Sequence, residues 1–215
     1  MTNIPPTPLW AIVPIKSFSQ GKSRLSGIAC GTEREAFNSH CAHLVLDTLR
    51  KSKGIDEILV ATNDDSIASW VSQKSWRCIR DGAGASLNEI LTQALDVAEA
   101  EGAASAIILV CDLPFLDTES VKKLVDALGA HSSVLAPDRR GEGTNALGMR
   151  FSNRVSLHFE EDESYRRHRE ACGTNMGSVQ VIESFQLGFD VDLRLDFEEF
   201  KSLETWPSQA LKNVS

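Results

Sequence analysis

Apolar residues along the chain fall into short continuous runs separated by longer stretches of helical period. Leu9–Ile15 (LWAIVPI), Glu57–Thr62 (EILVAT) and Ala106–Cys111 (AIILVC) have strand length and almost no polar alternation. Strands buried on both faces read this way. Weaker runs predict further strands at Arg77–Ile79, Ser133–Pro137, Ala146–Phe151 and Val179–Glu183. Between them the pattern predicts helices from Thr32 to about Lys53, at Asp65–Lys74, and from Ser86 to about Glu101. Others are predicted at Thr118–Leu128, Ser164–Ala171 and Phe197–Leu203. Thr32 with Glu35 and Ser86 with Glu89 have capping-box spacing.

Strands alternating with helices predict a three-layer α/β fold, a mainly parallel mixed sheet covered on both faces. A single domain over residues 1–215 is expected, with a loose leader at 1–8, an irregular insertion at 138–178 and a tail at 206–215. Ligands of such sheets bind at the carboxyl ends of the strands. The loops after Ile15, Thr62, Cys111 and Pro137 are therefore expected on one edge.

Charge narrows the partners. Asp plus Glu number 30 against 22 Lys plus Arg, a net charge of −8. That balance argues against general nucleic-acid binding, which needs a basic face. A small anionic substrate stays compatible if cations converge locally. No apolar run approaches the ~18 residues of a membrane span, and Leu9–Ile15 contains Pro14 and lacks a preceding basic region. Neither a membrane anchor nor a signal peptide is expected. The five cysteines are scattered without a C-x-x-C pair, as in a reduced, cytoplasmic protein.

Four segments carry candidate chemistry. Lys16-Ser17-Phe18-Ser19-Gln20-Gly21-Lys22-Ser23-Arg24 follows the first strand with three cations and a glycine. Backbone N–H groups and lysines in such a loop suit a polyphosphate. Gly21-Lys22-Ser23 is not a Walker A loop, because Lys16 stands where that motif needs its first glycine. A solvated basic loop is the plain alternative. Asp112 ends the Ala106–Cys111 strand and precedes the next helix start, at Asp117 or Thr118, by too much to cap it. That favours a site role.

In Phe189-Asp190-Val191-Asp192 the two carboxylates share a face if the chain is extended. Adjacent carboxylates repel unless a proton or cation intervenes, and Mg²⁺ is a usual partner. Two solvent-facing aspartates on an edge strand are the alternative. A D-x-D phosphatase is excluded by Arg194 and by the short remaining chain. The fourth segment, Asp138–Leu147, combines Arg139, Arg140, two glycines and a Thr-Asn pair suited to an anion. Arg166, Arg167, His168 and Arg169 form a second basic run, for which a solvated helix face competes. His40 and His43, three apart on the first helix, lack a third ligand and read as amphipathic patterning.

In order and spacing, these pieces resemble the CofC/FbiD guanylyltransferases of coenzyme F-420 biosynthesis. The marks are V-P-I-K with K-S-R-L (Val13–Lys16, Lys22–Leu25), A-T-N-D-D (Ala61–Asp65), S-L-N (Ser86–Asn88), C-D-L-P (Cys111–Pro114), G-T-N-A-L (Gly143–Leu147) and D-V-D (Asp190–Asp192). The resemblance implies a Rossmann-like nucleotidyltransferase fold. It also implies transfer of GMP from GTP to 2-phospho-L-lactate, phosphoenolpyruvate or 3-phospho-D-glycerate. By the same resemblance Asp112, Asp190 and Asp192 match metal-binding aspartates, and Thr144 an acceptor-binding threonine. Lys16, Gly21, Lys22, Ser23 and Arg24 match the nucleotide loop.

Glu160–Glu163 replaces a glycine-containing turn of the family, and Leu193-Arg194 replaces a Thr-Pro helix start. Lys22 and Asp112 are expected to act in catalysis, Ser86 and Asn88 on guanosine, and Arg139, Arg140, Thr144 and Ser164 on the acceptor. Homodimer formation is left open. The alternatives are another nucleotidyltransferase, such as a molybdopterin guanylyltransferase or a sugar-phosphate enzyme, and a non-catalytic nucleotide sensor. Those relatives usually open with a glycine-rich loop, whereas Gly21 is the one glycine here.

Overall fold

The computed structural model describes residues 7–19, 31–80, 84–174 and 177–203. Seven strands form one sheet in the order β3-β2-β1-β4-β6-β5-β7. They are β1 (Leu9–Pro14), β2 (Glu57–Thr62), β3 (Arg77–Arg80), β4 (Ser105–Leu109), β5 (Ser133–Pro137), β6 (Thr144–Arg150) and β7 (Val179–Val181). Among the described residues only β6 runs antiparallel, pairing Leu109 with Ala146 on one side and Leu135 with Leu147 on the other. The expected mainly parallel mixed sheet is what the chain forms.

Helices α1 (Gly31–Lys51), α2 (Asp65–Gln73), α3 (Leu87–Ala100), α4 (Thr118–Ala130) and α5 (Ser164–Thr174) cover the sheet. Two more follow, α6 (Phe185–Gly188) and α7 (Arg194–Leu203). Alternate strand residues separate two cores. Ala11, Val13, Val60 and Ile107 pack with α1 and α4 residues such as Val45, Leu46, Leu124 and Leu128. Trp10, Ile12, Leu59 and Ile108 pack with α3 residues Ile90, Leu91 and Leu95 and with Cys172 of α5. A third cluster joins Phe37 and Cys41 of α1 to Phe189, Val191, Phe197 and Phe200.

Local signals set several boundaries. Ser86 and Glu89 form the expected capping box at α3, and Asp117 caps α4 by accepting from the Ser120 N–H at 2.8 Å. The helix read from Thr32 already includes Gly31. Segment 138–178 supplies β6 and α5, close to the strand expected at Ala146–Phe151 and the helix expected at Ser164–Ala171. Strand β6 lies between β4 and β5. It starts at Thr144, inside what the sequence reads as loop, because the turn closes early. Gly141 adopts φ 72°, which suits glycine, and the Asp138 N–H bonds the Gly143 carbonyl at 3.0 Å. Gly148 has a packing reason: a Cβ there would come within 2.5 Å of Val134. The described cysteines are free thiols. Among the described residues no helix is long and apolar enough to cross a membrane.

Candidate active site

Because β6 is antiparallel, its first residues reach the same sheet edge as the last residues of the parallel strands. Lys16 after β1, Asp112 after β4, Asp138 after β5 and Thr144 at the start of β6 consequently line one cleft of about 680 Å³. The Phe159–Ser164 turn and Asp190 with Asp192 close its other sides. A hollow of about 130 Å³ adjoins at Lys16 and Glu160, lined by Thr62, Asn63 and Ser86.

The carboxylates of Asp112, Asp190 and Asp192 come together, each offering an oxygen within 4.8 Å of the others. Their convergence rests on the alternation read from the sequence. Phe189 and Val191 are buried in the aromatic cluster, with Phe189 at 5.0 Å and nearly perpendicular to Phe115. Asp190 and Asp192 are turned toward the cleft instead. This segment leaves α6 through a tight turn, the Asp190 N–H bonding the Gly188 carbonyl at 3.2 Å, and pairs with no strand among the described residues, so the edge-strand alternative does not describe it. Asp190 is buried and its Oδ1 has no hydrogen-bond partner among the described residues. Burial first, then the Asp112 and Asp192 charges, push its carboxyl up to about 7. A buried acceptor atom facing two further carboxylates is a donor set suited to a hard divalent cation.

The arginines expected at the acceptor do something else. Arg139 and Arg140 both pair with Asp196, and Arg139 also reaches Glu199 at 2.6 Å. Neither arginine lines the cleft. The Arg139 guanidinium lies 4.6 Å from the centre of the Phe189 ring. Asp196 is fully buried and accepts from the Asp192 and Leu193 N–H groups at 3.0 and 2.7 Å. Burial opposes its ionisation, but the Leu193 N–H and the two guanidiniums outweigh that and hold its pKa low. The arginines thus fix the turn that carries Asp192. Sequence reading missed this because the partner lies 57 residues from Arg139.

Asn88, expected on guanosine, engages the chain itself. Its side chain donates to the Phe159 carbonyl at 3.0 Å and accepts from the Phe159 N–H at 2.9 Å, so it clamps the acidic turn and does not line the cleft. Ser86 is committed to its cap with Glu89, at the rim of the smaller hollow. Thr144 and Ser164 meet, with the Ser164 hydroxyl donating to Thr144 Oγ1 at 3.1 Å, and both line the cleft. Lys16 lines it too and pairs with Glu160. Gly21, Lys22, Ser23 and Arg24 lie outside the described residues.

Glu163 pairs with Arg166, which also reaches Glu170. Arg167 donates to the Asp162 carbonyl. These arginines therefore brace the acidic turn from α5. His43 Nδ1 lies 2.9 Å from the Ser39 carbonyl and its ring packs on Trp70, which gives it a structural place. One residue that sequence reading passed over is central. His168, fully buried, bonds Thr144 Oγ1 through Nδ1 at 2.9 Å. Ser164, His168 and Cys172 recur every four residues and are all buried, a helical stripe hidden by the arginines around it.

Comparison with known proteins gives the context of this geometry. A family described as "Guanylyl transferase CofC like" matches residues 9–202. A phosphoenolpyruvate guanylyltransferase of Chloroflexus aggregans is 32% identical over 84% of this chain and 90% of its own. A 2-phospho-L-lactate guanylyltransferase of Methanothermobacter thermautotrophicus is 30% identical over 88% of this chain and 82% of its own. Among solved structures, a putative nucleotide-diphospho-sugar transferase from Desulfovibrio desulfuricans superposes with a TM-score of 0.78 at 16% identity. It covers 97% of this chain and 90% of that one. A CMP:2-keto-3-deoxy-manno-octonic acid synthetase complexed with CTP gives a TM-score of 0.59 at 16% identity, covering 91% and 97%. At these identities the structural matches speak for the fold.

Proposed function

We propose, from the premise that the chain belongs to the CofC-like guanylyl transferase family, that it moves GMP from GTP onto a phosphorylated three-carbon acid and releases pyrophosphate, in coenzyme F-420 biosynthesis. The observation that carries this reading is the Asp112–Asp190–Asp192 cluster at the cleft, with its unpartnered buried oxygen. These three carboxylates would hold Mg²⁺, which when bound supplies charge neutralisation for the reacting phosphates.

The remaining chemistry belongs to the chain and its substrates. An acceptor phosphate oxygen forms a bond to the α-phosphorus of GTP, the bond from that phosphorus to the bridging oxygen breaks, and pyrophosphate leaves with that electron pair. A phosphate monoester has a second pKa of about 6, so it is already a nucleophile at neutral pH and needs no general base. The protein's task is position and charge. Lys16 serves the nucleotide phosphates, helped by Lys22, Ser23 and Arg24, and Lys22 stabilises the departing pyrophosphate. Thr144 contacts the acceptor with Ser164 beside it, and guanosine takes the smaller hollow beside Asn63 and Ser86.

The test is GTP with phosphoenolpyruvate, 2-phospho-L-lactate and 3-phospho-D-glycerate in turn, in Mg²⁺, with pyrophosphate measured. Pyrophosphate release with one acceptor and not with GTP alone supports the reading; its absence with all three refutes it.

A further inference from the structure

The hydrogen bonds around His168 have only one consistent direction. Its Nε2 lies 2.8 Å from the backbone nitrogen of His158, which can only donate. Nε2 must therefore carry a lone pair, and the single proton of the neutral ring sits on Nδ1. Nδ1 faces Thr144 Oγ1 at 2.9 Å and so donates to it. The Ser164 hydroxyl donates to the same oxygen at 3.1 Å. With both lone pairs of the Thr144 oxygen occupied, its own hydrogen is left for a third direction. Thr144 is a cleft-lining residue whose oxygen is otherwise enclosed by these two donors.

We propose that His168 is a positioning residue that fixes the Thr144 hydroxyl as a donor toward the cleft, and that Thr144 thereby selects an anionic oxygen of the acceptor over a hydroxyl or amine at that point. The acceptor half of this rests on the function proposed above; the direction of the hydrogen bonds does not. The surroundings keep the ring in its neutral form. His168 is fully buried, with the Phe159 ring 4.7 Å away. The titratable groups facing it are His158, at 5.7 Å between rings, and Glu161, which His158 itself engages at 3.1 Å. Burial and then His158 depress the His168 pKa to about 4, with Glu161 and an interaction with the Ser164 backbone opposing. A protonated ring would also turn an N–H against the His158 N–H.

Two measurements on the full-length protein test this. In ¹⁵N-histidine-labelled protein, multiple-bond ¹H–¹⁵N spectra should show His168 with a protonated Nδ1 and an unprotonated Nε2, assigned by loss of the signals in His168→Asn. The opposite tautomer overturns the proposal whatever the enzyme does. In steady-state kinetics, His168→Leu should raise the acceptor KM by about tenfold or more, the scale of a lost hydrogen bond to a charged group, with GTP KM changed less than about twofold. His168→Asn, which keeps a donor near the place of Nδ1, should recover most of the loss. Equal shifts in both KM values, or an asparagine variant no better than leucine, would make His168 a packing residue only. If the wild-type protein turns over none of the three acceptors, the proposed function fails and the tautomer alone decides this inference.

Discussion

Replacing Asp190 by asparagine should stabilise the metal-free protein while abolishing turnover. The wild-type carboxyl is 5% exposed and titrates at about 7, against 3.8 for an ordinary aspartate, because of burial and the charges of Asp112 and Asp192. About three pH units at ~1.4 kcal/mol each set a ceiling of roughly 4 kcal/mol at pH 8. Asp192 is exposed, so solvent screening and proton sharing within the cluster lower the expected gain to about 1–3 kcal/mol. The sign follows from linkage. A folded pKa above the unfolded one means that the native state holds more protons between about pH 4 and 7. This group's contribution is therefore complete below the unfolded pKa and is lost as pH rises through 7. Asparagine has no such dependence, so its advantage at pH 5 should be less than half that at pH 8. For a chain of this length, 1 kcal/mol moves Tm by about 2–4 °C, so circular-dichroism melts in EDTA at pH 8 should rise by roughly 2–12 °C. Mg²⁺ should raise Tm of the wild type and leave the variant nearly unchanged, and kcat of the variant should fall by at least about 10²-fold. A variant less stable at pH 8, or one stabilised equally at both pH values, would refute the repulsive cluster.

Three further outcomes follow from the contacts. Arg139→Ala with Arg140→Ala should cost about 3–5 kcal/mol, because Asp196 is left buried without a cation. In urea-unfolding and kinetic measurements the double variant should lose stability and kcat without a selective rise in acceptor KM. Asn88→Ala should loosen the Phe159–Glu161 turn, raising acceptor KM and leaving GTP KM within about twofold; a selective rise in GTP KM would restore Asn88 to the nucleotide. Lys22→Ala should lower kcat by roughly 10²–10³, the usual loss of one transition-state charge stabiliser, and an unchanged rate would assign the basic loop to solvent.

Sequence made some of this arrangement legible and hid the rest for physical reasons. The D-x-D pair could be read because alternation over four residues is local, and Phe189 and Val191 are the buried pair alternating with it. Asp112 could be read because a helix cap was already available at Asp117. The fate of Arg139, Arg140 and Asn88 could not, since their partners lie 56 to 71 residues away and a surface charge or amide looks the same whether it meets a ligand or the chain. His168 sat in a basic run that reads as solvated. Only the four-residue spacing with Ser164 and Cys172 marks its buried face.

The hairpin that joins β5 to β6 has a consequence for how this chain tolerates insertions. Surface turns usually accept changes in length. Here the β5–β6 register shifts between Ala136 and Pro137, and the side chains of Thr144 and Asn145 make contacts on opposite faces. Thr144 meets His168 on one, and Asn145 donates to the Leu187 carbonyl at 2.9 Å on the other. Adding or deleting one residue between Asp138 and Gly143 could be absorbed by sliding β6 by one position, which would exchange those two faces. The cleft would then present an amide where a hydroxyl belongs, and α6, just ahead of Asp190, would lose its tether. Turn length at 138–143 should therefore be as restricted as the residues it delivers.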